Sequence, residues 1–242
     1  MNLVQSLVLA VIQGISEFLP ISSSGHLNLA QHFMGVSPSL ALDIFLNTAT
    51  LFSVLFFFRH QISYFKKNLV YIIIGSIPAG LIGFLFKDQI ETIFGNPKFL
   101  PFFFLITATF VLLTKWAKAN GSQMDYKKAI IIGLFQAVAI LPGVSRAGST
   151  IFIALMLGLA PQDAFNYSFS LFIPASLGAI VLGAKDISAL NIETSILAIS
   201  FAVAFLVGIF TLSILKKSLT TKKFWFFSLY VYLIALIFFF VI

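Results

Sequence analysis

Cysteine is absent from the 242 residues. That excludes disulfides and thiolate metal centres and leaves the redox compartment unread. Acidic residues are also scarce, eight Asp and Glu against fifteen Lys and Arg. Charged residues make up 10% of the chain, where a soluble domain averages about 25%. No Lys or Arg precedes Arg59. The N-terminus therefore lacks the basic region of a cleaved signal peptide, and residues 1–12 read as mature structure. The net charge of +7 does not point to nucleic acid. The basic residues sit in short stretches between apolar runs, which is the orientation signal of a membrane protein.

What is present is apolar. Hydrophobic residues are 60% of the chain and the mean hydropathy is +1.04, so the solvent is lipid. A spanning helix needs about 20 mostly apolar residues. Six runs qualify, at about 41–59, 69–86, 98–116, 163–184, 194–215 and 223–241. Two further apolar stretches are broken in the middle: 3–34 by "LPISSSG" and 127–158 by "LPGVSRAG". Each half is too short to cross a hydrocarbon core of about 30 Å. The expected fold is therefore an all-α integral membrane protein with six transmembrane helices and two re-entrant helical hairpins.

The basic residues orient it. Arg59, Lys66 and Lys67, then Lys115, Lys118, Lys127 and Lys128, then Lys216, Lys217, Lys222 and Lys223 lie in three alternate connections. The other connections hold Lys87, Lys98 and Lys185, balanced by Asp88, Glu91, Asp186 and Glu193. By the positive-inside rule the first set is cytoplasmic. Both termini and the first hairpin then face outward, and the second hairpin enters from the cytoplasm.

The two broken stretches align at an offset of 123. Gln13 pairs with Gln136, Ser22 with Ser145, Gly25 with Gly148, Gly35 with Gly158, Pro38 with Pro161, Ala41 with Ala164 and Ser53 with Ser176. A single membrane domain, 1–242, would thus hold repeat one at about 1–119 and repeat two at about 120–242. Each has one hairpin and three spans. Three is odd, so the copies are inverted, and inverted repeats with broken helices place a site near the midplane.

The breaks carry chemistry. A helix starting at about Ser23 and another at about Ala147 each present unpaired N–H groups and a positive dipole end, a ready anion site. Arg146 lies inside the second break, and a guanidinium binds phosphate through a planar fork. Together these would hold a diphosphate. Gln13 and Glu17 are four apart and share a helix face. A carboxylate beside an anion site makes sense if a cation joins them, so Gln13 and Glu17 are candidate ligands of a divalent cation, Mg²⁺ or Ca²⁺. His26 is a candidate nucleophile or acid–base group. Ser22, Ser23 and Ser24 are candidates to cap the helix, bind phosphate or attack phosphorus.

Each residue also has a plainer reading. The serines can be caps only. His26 can be a hydrogen-bonded packing residue, and Glu17 with Arg146 a structural pair. Asp43 reads as a solvated group near the outer interface, and the 30 Phe as lipid-facing surface and core filler. Against this, ionisable groups held inside a membrane are functional by default.

"QGISEFLPISSSGHL" (13–27) and "LPGVSRAGSTI" (141–151) resemble the two signature segments of the undecaprenyl-diphosphate phosphatase family, the bacitracin-resistance type. The resemblance extends to "LDIFLNTATLFSVLFFFR" (42–59) and "FNYSFSLFIPASLGA" (165–179). It implies a bacterial plasma-membrane enzyme that removes the terminal phosphate of a polyprenyl diphosphate carrier for cell-wall synthesis, with six spans, two hairpins and a site open to the periplasm. The family's acidic motif falls on Gln13 and Glu17, its Ser-Gly-His element on Ser23, Ser24, Gly25 and His26, and its Ser-Arg pair on Ser145 and Arg146. Glu17, Ser23, His26 and Arg146 are the expected catalytic residues. Ser22, Ser24, Gly25, Ser145, Gly148 and Ser149 are the expected phosphate-binding set. Ala147 stands where the family often has Ser, and Asn47 where many members have His. The chain looks short for the family. Partners are the lipid substrate and the bilayer, with no nucleic acid; a homodimer is admitted. The attacking group stays open among His26, Ser23 and a metal-bound water. A secondary transporter or lipid flippase would share the repeat architecture, and an inactive structural subunit is the remaining reading.

Overall fold

A computed structural model describes residues 1–37, 39–94 and 96–241, with the side chains of Glu91, Pro97 and Val241 left aside. Pro38, and with it one member of the Pro38–Pro161 pair, lies outside the described residues, as does the Glu91 side chain. Among the described residues all regular structure is helical. The order is α1 (Leu3–Ser16), α2 (Ser23–Phe33), α3 (Leu40–Phe57), α4 (Ile62–Leu85), α5 (Lys87–Phe94), α6 (Leu100–Leu113), α7 (Tyr126–Val138), α8 (Arg146–Met156), α9 (Pro161–Ser188), α10 (Thr194–Thr220) and α11 (Phe227–Val241). Short 3₁₀ turns at Pro97–Phe99, Thr114–Trp116 and Phe224–Phe226 flank α6 and precede α11.

Among the described residues four helices are long and apolar enough to cross a membrane: α3, α4, α9 and α10. Residues 100–116 and 224–240 are apolar but shorter. Each long helix except α3 overshoots the expected run. α4 begins at Ile62 and takes Lys66 and Lys67 into its first turns, exposed. α10 carries Lys216 and Lys217 within its last turns. Long Lys side chains extend their charge beyond an apolar segment while the backbone stays helical. α5 has no counterpart in the expected set, because "KDQIETIF" is too polar to count as an apolar run.

Local chemistry explains the ends. Asn2 and Gln5 form a reciprocal capping box at α1, with Asn2 Oδ1 accepting from Gln5 N at 2.9 Å and Gln5 Oε1 from Asn2 N at 3.0 Å. Ser39 caps α3. Asp125 caps α7, and the Lys128 side-chain and backbone N–H groups hold its carboxyl below the usual carboxylate range. Pro161 opens α9 at its first position, where a missing N–H is no loss. Gly35 and Gly158, partners in the 123-residue offset, have positive φ of 64° and 86° just after α2 and α8, where a helix ends most easily on glycine.

Packing brings the two halves together. α1 lies against α10, α4 against α7, α3 against both α9 and α10, and α6 against α11. The α4–α7 approach is close: a Cβ on Gly133 would sit 2.4 Å from the Gly75 carbonyl oxygen. The buried core between the halves is largely aromatic, with Phe18, Phe165, Tyr167 and Phe169 fully enclosed. The outer surface is apolar as well. Val4, Val181, Phe84 and Phe210 stand exposed, which suits lipid rather than water as the neighbour.

Candidate active site

The site forms where the two hairpins meet. α1 and α2 are joined by residues 17–22, α7 and α8 by residues 139–145. At 14 and 11 residues, α1 and α2 rise only about 21 and 17 Å, so their turn stops inside the protein. A Cβ on Gly148, in the first turn of α8, would lie 3.3 Å from Pro20 Cβ. The absence of a side chain at Gly148 lets the breaks touch.

Glu17 ends α1 and Ser22 starts α2 as its N-cap. Between them the chain turns back so that Ser23 Oγ donates to Glu17 Oε2 at 2.6 Å. Gln13, one turn before Glu17, donates Nε2 to the same carboxylate oxygen at 3.1 Å and to Thr50 Oγ1 at 3.3 Å. The other carboxylate oxygen accepts from Arg146 Nη2 at 3.2 Å. The pair is largely enclosed, with side-chain exposures of 13% for Arg146 and 9% for Glu17. The guanidinium also lies 4.2 Å from the centre of the Phe172 ring, a cation–π contact strengthened by desolvation. Its Nη1 is buried with no hydrogen-bond partner. A buried cationic donor left unmet is a strong demand for an acceptor.

The second break is held by backbone geometry. Ser145 Oγ caps α8 by accepting from Gly148 N at 3.1 Å. Thr107 on α6 accepts from Ser145 N and donates to the Gly143 carbonyl, both at 2.8 Å. Gly143 makes the turn with φ of 95°.

A cavity of about 240 Å³ opens over these groups. Gln13, Glu17, Ser22, Ser23, Ser24, Ser145 and Arg146 line it, with Asp43 and Asn47 from α3 and Phe172 and Ser176 from α9. Gly25, Gly148, Ser149 and His26 are not in its wall. The Gly25 and Gly148 N–H groups point to the capping serines, at 3.5 and 3.1 Å. The hydroxyl of Ser149 is buried without a partner. His26 turns the other way, toward Tyr230 on α11.

Several contributing residues were not singled out by sequence. Thr50 supports Gln13, Thr107 supports Ser145, and Phe172 backs Arg146. Asp43, read as solvated near an interface, instead lines the cavity and accepts from Gln31 Nε2 at 2.9 Å. Asn47 Oδ1 is buried and unpartnered. A signal existed: Asp43, Asn47 and Thr50 are spaced four and three apart, a polar stripe along a largely apolar helix.

Comparison with known proteins agrees along the whole chain. The family described as bacitracin resistance protein BacA matches residues 6–237. An undecaprenyl-diphosphatase of Thermosipho africanus is 44% identical, the match covering 97% of this chain and 98% of that protein. One of Thermosipho melanesiensis is 38% identical over 95% and 96% of the two chains. One of Methanobrevibacter smithii is 36% identical over 99% and 97%. These matches run nearly end to end, yet the match to the Methanobrevibacter smithii protein spans 272 aligned positions against the 242 residues of this chain, so the chain is short beside that relative.

Proposed function

Because the chain belongs to the bacitracin resistance protein BacA family, we infer that it is an undecaprenyl-diphosphate phosphatase. It is a hydrolase of a multi-pass membrane protein class, and it releases inorganic phosphate from undecaprenyl diphosphate to regenerate the monophosphate carrier used in cell-wall synthesis. The relatives are diphosphatases by name, which sets aside both the transporter reading and that of an inactive subunit.

One observation carries the chemical assignment. A hydroxyl, a carboxylate and a guanidinium with an unmet donor share one cavity, at 2.6 Å and 3.2 Å from one another through Glu17. In this reading Ser23 is the nucleophile and Glu17 its general base. Ser23 Oγ attacks the terminal phosphorus while its proton passes to Glu17. The bridging P–O bond breaks, and the carrier monophosphate leaves with the proton from Glu17. Water then attacks the phosphoserine. Glu17 takes the water's proton, the Ser23–phosphorus ester bond breaks, phosphate departs, and the proton returns to Ser23 Oγ. Arg146 Nη1 meets charge that develops on the transferring group, in a site where water is largely excluded. The free N–H groups at the starts of α2 and α8 add positive potential on either side.

A divalent cation, Mg²⁺ or Ca²⁺, belongs to this proposal. The residues fit one that arrives on the diphosphate rather than one caged by protein. Among the described residues no three His, Asp or Glu cluster together, and Glu17 is already paired with Arg146. The unpartnered Asn47 Oδ1 is the observation that favours a cation here, since hard cations take carboxylate and amide oxygens. Gln13, Glu17 and Asn47 would hold it. When bound, it neutralises phosphate charge.

The finer topology is part of the same proposal: six spans, two re-entrant hairpins, and an inverted repeat dividing at about residue 119. Support comes from packing that exchanges under the 123-residue offset. α1 with α10 corresponds to α7 with α4, and α3 with α10 to α9 with α4. The cavity would open to the outer side of the plasma membrane, so the lipid tail stays between helices while the diphosphate enters. The test is phosphate release from undecaprenyl diphosphate by purified protein in detergent. Carrier monophosphate should form in equal amount; lipid bound or moved with no phosphate formed would return the transporter reading.

A further inference from the structure

The His26 ring makes two hydrogen bonds, one to the Ser22 backbone and one to Tyr230. Its Nδ1 is 2.8 Å from the Ser22 carbonyl oxygen. A carbonyl only accepts, so Nδ1 carries the proton and donates. In the neutral ring Nε2 is then an acceptor, and it lies 2.8 Å from the Tyr230 hydroxyl, which donates. The two rings are stacked at 5.7 Å with planes 17° apart, and Phe104 meets His26 edge-on at 5.4 Å. The lone pair that a nucleophilic histidine would use is occupied by a tyrosine on the last helix.

The residue His26 holds is unusual. Ser22 has φ of 69° and ψ of 103°, in a half of backbone space that residues with a Cβ avoid. Such conformations persist only where surrounding contacts over-determine them, and they gather at functional sites. Here the Ser22 carbonyl takes both the backbone and ring N–H of His26, at 3.3 and 2.8 Å. The next residue is Ser23, aimed at Glu17.

We propose that His26 and Tyr230 are positioning residues: the Tyr230 hydroxyl fixes the His26 tautomer, and the His26 Nδ1–H clasps the Ser22 carbonyl, holding the strained turn that delivers Ser23 to Glu17. This rests on Ser23 as the nucleophile. It gives α11 a part in the site, although Tyr230 is 204 residues from His26 in sequence and is not in the cavity wall.

The test compares purified wild type, Tyr230→Phe, His26→Asn, His26→Gln and Ser23→Ala for phosphate release from undecaprenyl diphosphate, with thermal stability of each. Phe keeps the ring stack and removes one hydrogen bond, so Tyr230→Phe should lower kcat by about three- to tenfold and leave KM within about twofold. An Asn amide places an N–H where Nδ1 stands, whereas a Gln amide reaches the Nε2 position. His26→Asn should therefore retain more activity than His26→Gln at equal amounts of folded protein. Wild-type kcat in Tyr230→Phe overturns the role of Tyr230. Activity in His26→Gln equal to or above that in His26→Asn overturns the clasp. Full turnover in Ser23→Ala is a separate result that overturns the nucleophile assignment beneath it.

Discussion

Ser23 Oγ donates to Glu17 Oε2 at 2.6 Å across the turn that joins α1 to α2. The bond is short because its acceptor is charged. It also ties the hydroxyl that would attack phosphorus to a carboxylate that can take its proton. Glu17 has three donors, Ser23, Gln13 and Arg146, so its orientation is set before substrate arrives.

Glu17→Gln keeps the shape of that node and removes its basicity. General-base catalysis contributes roughly a hundred- to ten-thousandfold, so turnover should fall by at least about a hundredfold, and the dependence on divalent cation should weaken. Phosphate release titrated with Mg²⁺ and chelator checks both. Near-normal turnover in excess chelator would remove Glu17 from both roles.

Arg146→Lys keeps a positive charge and loses the fork, one arm of which pairs with Glu17 while the other is unmet. A hydrogen bond to a charged group contributes about 1.5–3 kcal/mol, so kcat/KM should drop on the order of ten- to a hundredfold. Arg146→Ala should lose more, because Glu17 and the diphosphate are then buried without a countercharge. Wild-type kinetics in Arg146→Ala would take it out of the site. Loss of activity only together with loss of folded protein would leave it a structural pair.

The two breaks were legible in sequence because each interrupts an apolar run, and the polar stretch at 17–26 stands out in an apolar chain. Serine caps were legible for the same local reason, and Ser22 and Ser145 both serve as caps. What could not be read is long-range. Nothing near Tyr230 marks it, since a tyrosine in an apolar run is ordinary in a membrane helix. The partnership of Thr107 with Ser145 depends on how α6 packs. Asp43 was misplaced because a carboxylate near a helix start looks solvated until a cavity is seen beside it. The helix ends at Ile62 and Thr220 were missed because hydropathy counts the charge of the lysines near them, whereas a helix continues until its backbone is capped.

Packing predicts a stability effect away from the site. Gly133 meets the Gly75 backbone, and an added Cβ would lie 2.4 Å from a carbonyl oxygen that cannot swing aside. Gly133→Ala should destabilise the protein by about 1–3 kcal/mol, seen as a lower Tm in detergent, with kcat per folded molecule little changed. An unchanged Tm would mean α4 and α7 are farther apart than this.

The proposed topology puts eleven basic residues on the cytoplasmic side. The chain has no cysteine, so single cysteines report cleanly. Ser63 and Asn191 are both exposed. A cysteine at Ser63 should label from the cytoplasm and one at Asn191 from outside. Labelling of both from one side would end the inverted-repeat topology.

The central claim is that phosphorus passes through Ser23. The direct measurement is to quench purified enzyme during turnover of undecaprenyl diphosphate labelled in its terminal phosphate, digest it, and map the labelled peptide. The label should sit on Ser23, be absent from Ser23→Ala, and accumulate when water attack is slowed. Label on His26, or rapid turnover with none on the protein at any time, would contradict it.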